Sequence, residues 1–294
     1  MEIRTLRAFV EVVRRGGFSQ AAKTVFATQS TVSKAVKQLE DEIGFPLLDR
    51  IGHRSKLTSA GEVVYRRALR LLAERDDLMA EIEELRGLKR GMLRLGLPAI
   101  ASNILFAPLF AAYRRRYPSV EIRLVEHGAV RLEELLLAGE IELGASLLPV
   151  PEGFETQDVR REPLVALLPE KQPLSRKKSL GLVDLRHLPF ILFEPDFAIT
   201  RIILDACRQH GFEPTIAVRG SQIDFVTELV AAGMGVAFLP RMIAAERSHP
   251  QVRRVLLAEP NTEWHMAIIW RRGSYLSHAA NAWLQLAREI HKSA

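Results

Sequence analysis

The segment FATQSTVSKAVKQLEDEIG, residues 26–44, constrains the fold more than any other part of this 294-residue sequence. In a helix with about 100° per residue, its apolar side chains occupy one narrow arc, and polar side chains occupy the opposite face. The arc comprises Val32, Val36, Leu39 and Ile43, and the polar face comprises Ser30, Lys34, Lys37 and Asp41. Because the arc is expected to pack on neighbouring helices, the polar face remains for a partner.

Two shorter helices are predicted in front of this segment. Helical spacing of apolar residues predicts a first helix that ends at Gly16. Ser19 is expected to cap a second helix, from Gln20 to about Phe26, and Thr28 is expected to cap the amphipathic segment, which Gly44 ends. Short helices joined by a tight turn, the last with a polar face, predict a helix-turn-helix that enters the major groove of DNA.

Positive charge is concentrated at the N-terminal end of the sequence. Residues 1–70 hold 13 Lys and Arg against 7 Asp and Glu, whereas the remaining residues hold 28 of each sign. Within LLDRIGHRSKLTSAG, Arg50, Arg54 and Lys56 surround a glycine turn, which predicts a small wing whose basic side chains reach phosphates. The distribution therefore indicates a nucleic-acid-binding module joined to a neutral body.

A long helix is predicted after the wing, with Thr58 as its N-cap and Gly87 beyond its end. Apolar residues recur in it every seven positions, with an interruption at Arg75. They are Val64, Leu71, Leu78 and Leu85, with Ala68 and Ile82 at the offset apolar position of the same heptads. This seam favours a coiled coil between two copies of the chain, and an amphipathic helix packed on its own domain is the alternative.

Strands alternate with helices after Gly91, which predicts two α/β units with parallel sheets and a crevice between them. Predicted strands are MLRLGL, VEIRLVE and IELGAS in the first series, LVALLP, FILFE, TIAVRG and GVAFLP in the second, and EWHMAIIW near the end. Predicted helices span 104–116, 130–137, 200–210, 224–232 and 277–290. Ligands of such sheets bind beyond the carboxyl ends of the strands.

Motifs of common enzyme classes do not occur in the sequence. It has no GxxxxGK[ST] phosphate loop, no GxSxG nucleophile elbow and no HExxH metal pair. Cys207 is the single cysteine, three residues before His210, and a buried structural thiol is the commoner case. We therefore expect no catalytic residues, no cofactor and no metal site. A solute-binding transport protein and a DNA-binding protein indifferent to sequence and ligand remain as alternatives.

The N-terminus lacks the pattern of a secretory signal, and no apolar run approaches the roughly 20 residues of a membrane helix. A cytoplasmic protein is therefore expected.

The order of these parts resembles the LysR-type transcriptional regulators along nearly the whole chain. The blocks that carry the resemblance are LRAFVEVVRRGGFSQAAKTVFATQSTVSKAVKQLEDEIGFPLLDR, LTSAG, RYPSVEI and ELVAAGMGVAFLP. The resemblance implies a mixed fold: an all-α winged helix-turn-helix over 1–57, a linker and dimerisation helix over 58–90, and an α/β effector domain, periplasmic-binding-protein-like, over 91–294. Two subdomains are expected in the effector domain, one at about 91–160 plus 266–294 and the other at about 161–265.

The resemblance implies a sequence-specific DNA-binding transcriptional regulator. Its promoter binding or its bending of DNA is expected to change when a small-molecule effector binds the C-terminal domain. The expected assembly is a homodimer through the linker helix, with two dimers forming a homotetramer.

The DNA-binding residues follow partly from the resemblance and partly from side-chain chemistry. The family positions that meet DNA match Gln29, Ser30, Thr31, Ser33 and Lys34, and the chemistry of basic side chains adds Lys37, Arg50, Arg54 and Lys56. Gln29 and Thr31 suit base edges, whereas Ser33 and the basic residues suit phosphates. Family members often have proline where this chain has Ser30, so the start of the helix is more polar here.

The expected effector-binding residues lie at three predicted strand ends. They are Ser102 and Asn103 in PAIASN, Phe197 and Thr200 in DFAITR, and Ser221 and Gln222 in GSQID. Ala101 is the alternative to Ser102 for the family's ligand-facing position, and Arg201 either binds a carboxylate or is a surface residue. The resemblance implies an anionic metabolite as the effector, and backbone N–H groups at helix N-termini beside the crevice favour the same class.

Overall fold

The computed structural model describes residues 1–51, 54–85, 91–98, 100 and 102–291. The chain divides into two compact units. One comprises Met1–Lys89, Leu135–Ile141 and Gly273–Ser277, and the other comprises Arg90–Glu134, Glu142–Arg272 and His278–Ala294. The first is mostly helical, and the second contains the large sheets.

Three short helices, a hairpin and one long helix make up the N-terminal part of the first unit. They are α1 (Ile3–Arg15), α2 (Phe18–Thr24), α3 (Gln29–Ile43), β1 (Leu48–Ile51), β2 (Arg54–Leu57) and α4 (Ser59–Leu85). The strands β1 and β2 pair antiparallel, as a wing requires. The expected helix-turn-helix, formed by α2, α3 and the turn between them, is therefore confirmed together with its wing.

The helix α2 begins earlier than the sequence predicted. It starts at Phe18 with Gly17 at its N-cap, so the predicted capping role of Ser19 is wrong. Ser19 lies in the first turn of α2, and its hydroxyl donates a hydrogen bond to Gln29 Oε1 at 3.3 Å. The helix ends at Thr24 rather than near Phe26, because the backbone of Phe26 is left-handed, with φ 54°.

The apolar arc of α3 packs in the core between α1, α2 and α4. Val32, Val36 and Leu39 are buried in this core, and Ile43 is partly buried against it. The ring of Phe9 on α1 meets the ring of Tyr65 on α4 edge to face, with centroids 6.4 Å apart. Burial of each such side chain contributes about 1.5–3 kcal/mol to stability. Core packing therefore explains why this face of α3 is apolar.

The second unit alternates strands with helices. The strands are β3 (Met92–Leu97), β4 (Glu121–Glu126), β5 (Leu143–Leu147), β6 (Phe154–Glu162), β7 (Leu164–Pro169), β8 (Ser179–Leu180), β9 (Phe190–Phe193), β10 (Ile216–Gly220), β11 (Ala237–Pro240), β12 (Val252–Leu257) and β13 (Trp264–Arg271). The helices are α5 (Ser102–Leu105), α6 (Ala107–Arg116), α7 (Ala129–Leu137), α8 (Leu182–Leu185), α9 (Ala198–Gln209), α10 (Ile223–Ala231), α11 (Arg241–Glu246) and α12 (His278–His291), and a 3₁₀ turn spans Pro173–Arg176.

The sheets of this unit are mixed rather than purely parallel. A five-stranded sheet has the order β4-β3-β5-β13-β6, in which β3 is parallel to β4 and β5, whereas β13 is antiparallel to β5 and β6. A four-stranded sheet has the order β11-β7-β12-β8, with only β12 and β8 parallel, and β9 and β10 form a separate parallel pair. The prediction of parallel sheets was therefore wrong for the strands that pair with β7 and β13.

The sequence did not predict two of the strands that pair antiparallel in these sheets. The strand β6 has the sequence FETQDVRRE, and β12 has the sequence VRRVLL. Each interrupts its buried residues with exposed polar or charged ones, so neither shows the continuous apolar run of a strand covered on both faces.

The predicted helix over 104–116 is two helices in the structure. The short α5 ends at Leu105, and α6 begins at Ala107 after a break at Phe106. Pro108 lies in the first turn of α6, where its missing N–H removes no hydrogen bond within the helix. The proline therefore marks a helix start inside a segment that periodicity alone had joined.

Candidate functional site

The first turn of α3 is organised around Thr28. The Thr31 N–H donates a hydrogen bond to Thr28 Oγ1 at 3.2 Å, which confirms the predicted N-cap. The same Oγ1 lies 2.9 Å from the Ser30 hydroxyl and 2.8 Å from the Thr31 hydroxyl. Ser30 and Thr31 are both exposed, so two additional hydroxyl groups are held at the N-terminal end of the helix.

A contact across the helix-turn-helix orients Gln29. Its Oε1 accepts the hydrogen bond from Ser19, a residue ten positions earlier on α2. Within the described part of the chain, the Gln29 NH₂ group has no hydrogen-bond partner, and the side chain is exposed. Sequence reasoning missed this role of Ser19, because only the packing of α2 against α3 brings the two side chains together.

Lysine side chains extend the polar face of α3 beyond its first turn. Lys34 and Lys37 are exposed, one turn apart, and Ser33 beside them is half-buried. Among the described residues, neither lysine has an ion pair with a carboxylate. The apolar arc is thus covered by protein, and a cationic face remains in contact with solvent.

The wing is tied to the C-terminal end of α3 by Glu40. Its Oε1 accepts hydrogen bonds from the N–H groups of Leu47, at 2.8 Å, and Leu48, at 3.3 Å. Lys56 on β2 is exposed. Arg50 and Arg54 belong to the paired backbones of β1 and β2, but their side chains lie outside the described part of the structure.

The base of the wing also contacts the start of α4. The Thr58 hydroxyl donates to Pro46 O at 2.7 Å and accepts from the Gly61 N–H at 2.9 Å, which confirms the predicted cap of the long helix. A Cβ atom at Gly61 would lie 2.0 Å from Leu47 O. A glycine is therefore required here, because the backbones of α4 and the wing approach each other closely.

The heptad residues of α4 differ in exposure. Leu71 is 44% exposed, Leu78 57% and Ile82 39%, whereas Ala68 is buried against the N-terminal core. Val64 is partly buried against the same core, and the side chain of Leu85 lies outside the described part. Beyond its first turns, the helix carries an exposed apolar stripe.

A small cavity of about 50 Å³ lies in the second unit, where parallel strands end. The segments that follow β3 and β4 line it, together with the end of β5, the start of α9 and the start of β13. The lining residues are Pro98, Ile100, His127, Gly128, Ala129, Ser146, Leu147, Asp196, Phe197, Ala198, Ile199, Trp264 and Met266. This is the location that the topology of an α/β sheet favours for a ligand.

The structure brings one of the six expected effector residues to this cavity. Phe197 lines it and stacks on Phe193, with ring centroids 5.4 Å apart. Ser102 is half-buried and donates a hydrogen bond to the lining residue Pro98. Thr200 is buried and donates to Phe193 O at 2.9 Å.

The other three expected residues are exposed and do not line the cavity. Asn103 lies in α5, and Ser221 and Gln222 precede α10, where Gln222 is at the N-cap position.

Three polar residues that line the cavity, His127, Ser146 and Asp196, were not foreseen from the sequence. Ser146 is buried in β5, lines the cavity, and donates a hydrogen bond to Glu133 Oε1 at 3.4 Å. Burial raises the pKa of the Glu133 carboxyl, while the Ser146 hydrogen bond and the charge of Arg201 oppose the shift. A serine within the otherwise apolar strand LGASL was the available signal.

Cys207 has the environment of a structural thiol. It is buried, and burial raises the pKa of its thiol to about 11, with a smaller contribution from Glu259. At neutral pH the group is therefore protonated and a poor nucleophile. His210 Nε2 lies 2.5 Å from Glu259 Oε1.

The described residues include no group of three or more His, Cys, Asp or Glu arranged to hold a metal ion. Within the same part of the chain, no helix has the length and hydropathy needed to cross a membrane.

Two family models match the chain. The model described as "Bacterial regulatory helix-turn-helix protein, lysR family" matches residues 3–62. The model described as "LysR substrate binding domain" matches residues 86–292. The first match covers α1 to α3, the wing and the start of α4, and the second covers the sheets and the cavity.

Similar proteins match over almost their whole lengths. YwbI of Bacillus subtilis (strain 168), an uncharacterized HTH-type transcriptional regulator, is 35% identical over 97% of this chain and 95% of its own. GltC of the same organism, a transcriptional dual regulator, is 31% identical over 96% of this chain and 94% of its own. The crystal structure of full-length BenM covers 100% of this chain and 97% of that chain, with 25% identity and a TM-score of 0.63.

Proposed function

This chain belongs to the LysR family of bacterial transcriptional regulators, and we propose that it binds promoter DNA through the polar face of α3 and senses a small molecule in the cavity beside α9. It is a DNA-binding regulator with a C-terminal substrate-binding domain. One observation carries the assignment of the DNA site. The buried arc of α3 leaves exposed, at one helix end, an amide and two hydroxyls held by hydrogen bonds.

We assign base contacts to the first turn of α3. An amide that both accepts and donates matches adenine, and the Ser19 bond limits the directions in which Gln29 points. Thr31 adds a hydroxyl and a methyl group, and Ser30 adds a hydroxyl.

We assign phosphate contacts to the remaining expected residues. They are Ser33, Lys34 and Lys37 on α3 with Arg50, Arg54 and Lys56 on the wing. Basic side chains at these positions hold the helix in its groove without recognising a sequence, because every nucleotide offers them the same phosphate. Glu40 joins α3 to the wing, so the two elements would contact the DNA backbone as one unit.

The cavity lining favours a compact, largely apolar effector. Its volume is about 50 Å³, a third of the ~150 Å³ of an engineered cavity that holds benzene. A ligand the size of benzene or larger therefore requires the surrounding segments to move apart. Among the described lining residues, none is Lys or Arg, and Ser146 supplies a buried hydroxyl. Binding of an anionic metabolite would require Arg201 and the N-terminus of α9 to balance its negative charge.

The wider organisation that we propose keeps the boundaries expected from the sequence. Residues 1–57 bind DNA, 58–90 join two copies into a homodimer, and 91–294 bind the effector, with subdomains at about 91–160 plus 266–294 and about 161–265. Two dimers form the homotetramer. Like its relatives, the protein acts in transcription and not as an enzyme, and it acts in the cytoplasm, where bacterial promoters are.

Equilibrium DNA binding tests this function. The full-length protein is used to select duplexes from a random pool, and fluorescence anisotropy then compares the enriched duplex with a scrambled one at matched salt. We expect the enriched duplex to bind at least a hundredfold more tightly, since specific sites commonly exceed non-specific ones by 10³ or more. Equal, steeply salt-dependent binding to both duplexes would instead favour a DNA-binding protein indifferent to sequence.

A further inference from the structure

The turn between α2 and α3 carries an exposed aromatic ring that the DNA site described above does not use. Phe26 is 97% exposed, more than any other large hydrophobic side chain in the described part of the chain. A single apolar residue on a protein surface is ordinary by itself. The backbone conformation of Phe26, however, is unusual for a residue with a bulky side chain.

Phe26 adopts a conformation that its own side chain disfavours. Its φ is 54°, in the left-handed region, where Asn261 is the only other non-glycine residue that the structure describes. Asparagine tolerates this region, whereas bulky residues there are strained. The turn imposes the conformation, because Val25 N–H donates to Ala21 O at 3.0 Å and Ala27 N–H donates to Ala22 O at 2.9 Å. Glycine or asparagine would adopt this backbone conformation with less strain. The requirements of the fold therefore do not explain why phenylalanine occupies position 26.

Phe26 lies in the turn that leads into the end of α3 with the proposed base contacts. Phe26 is two residues before the cap Thr28 and three before Gln29, and the Ser19 bond holds α2 against that same end. Its exposed neighbours along the chain are mainly polar, namely Lys23, Thr24 and Thr28 to Thr31, with Ala27 as the small exception. An apolar surface of a protein partner would require a continuous apolar patch around Phe26. A DNA groove offers isolated apolar groups, which a single ring can contact.

We propose that Phe26 contacts the major groove beside the N-terminus of α3 and recognises a thymine through its C5-methyl group. The proposal rests on the proposed function, in which α3 enters that groove. A phenyl ring has no hydrogen-bond donor or acceptor, so it cannot distinguish bases by hydrogen bonding. The thymine methyl is the apolar group that base edges present in the major groove, and phenylalanine is among the side chains that contact it.

Replacement of thymine by uracil tests this contact, because uracil differs only by the missing methyl group. In the duplex enriched by the wild-type protein, each thymine is replaced in turn, and anisotropy measures binding by the wild type, Phe26→Ala, Phe26→Asn and the control Phe45→Ala. Phe45 is a second exposed phenylalanine of the same domain, 63% exposed, but it follows the opposite end of α3.

At one thymine per half-site, we expect uracil to weaken wild-type binding about fourfold, the equivalent of ~0.8 kcal/mol for a buried CH₂-sized group. Phe26→Ala and Phe26→Asn should bind the thymine duplex more weakly by at least that factor and be insensitive to uracil at the same position. Phe45→Ala should behave as the wild type, and the salt dependence should be equal for all four proteins, since no phosphate contact is removed.

Thermal unfolding separates this role from folding. Phe26→Asn relieves the strained φ, so its Tm should equal or exceed that of the wild type. If it then binds the enriched duplex as the wild type does, or if the uracil effect persists in Phe26→Ala, the proposal is overturned while the proposed function stands. If the wild type enriches no sequence at all, the proposed function itself fails, and this inference fails with it.

Discussion

In the proposed DNA site, single side chains in the first two turns of α3 would divide specificity and affinity between them. Gln29 is held by Ser19 and presents an amide, whereas Lys34 presents only charge. An amide discriminates among base edges, and an ammonium group attracts any phosphate. The two residues should therefore fail in different ways when they are truncated.

Lys34→Ala should weaken binding to specific and random DNA by similar factors. It should also reduce the slope of log K against log [salt] by about one, because one fewer counterion is released. Gln29→Ala is the matched comparison, and it should lower affinity for the enriched duplex alone while the slope stays constant. Anisotropy titrations at several salt concentrations measure both quantities, and an unchanged slope in Lys34→Ala would show that this lysine contacts no phosphate.

At the scale of elements, a half-buried carboxylate, that of Glu133, joins α7 to β5 near the cavity. The Ser146 hydroxyl donates to Glu133, and burial raises the pKa of that carboxyl above its ordinary value of 4.5. The folded state therefore favours the protonated carboxyl more than the unfolded chain does. As the pH rises through the raised pKa, the charge must be held in a partly buried place, and the fold loses stability.

Glu133→Gln should raise Tm at neutral pH, because the amide still accepts the Ser146 hydrogen bond but carries no charge. The gain should shrink as the pH falls and should vanish below the ordinary glutamate pKa of 4.5, where both states are protonated. Thermal unfolding from pH 4 to 8 measures the difference, and Glu134→Gln, at an exposed neighbour, serves as the control. A gain that is independent of pH would contradict the assigned cause.

The elements also differ in how well the sequence predicted them. The helices α1 and α3 and the long α4 were predicted closely, because an apolar repeat and a cap lie within each segment itself. The strands β6 and β12 were missed because charged residues interrupt their apolar positions. Their pairing with β13 and β7, distant in sequence, is what makes them strands.

At the scale of the whole molecule, the exposed stripe on α4 indicates assembly. Leu71, Leu78 and Ile82 share heptad positions and remain exposed in one copy of the chain. Burial of such a stripe against a second copy would remove apolar surface from water at about 25 cal/mol per Å². We therefore expect the dimer to depend on these residues rather than on the packed start of the helix.

Leu78→Glu should convert the dimer to monomers, because it places a charge in the seam of both chains. Val63→Glu is the control, since Val63 is equally on α4 and 51% exposed but lies outside the heptad positions. Sedimentation velocity at micromolar concentration measures the mass. If Leu78→Glu sediments as the wild type does, the seam is not the dimer contact.

The sequence by itself determined the helix-turn-helix, the cap at Thr28, the division of α3 into a packed and a polar face, and the family. These features depend on periodicity and capping, whose physical causes act over a few residues. Only the tertiary structure decided that Ser19 holds Gln29, that Ser146 meets Glu133, and which of the expected effector residues lines the cavity. These contacts join residues from different elements, and the sheet order and the packing of α2 on α3, rather than any local pattern, bring them together.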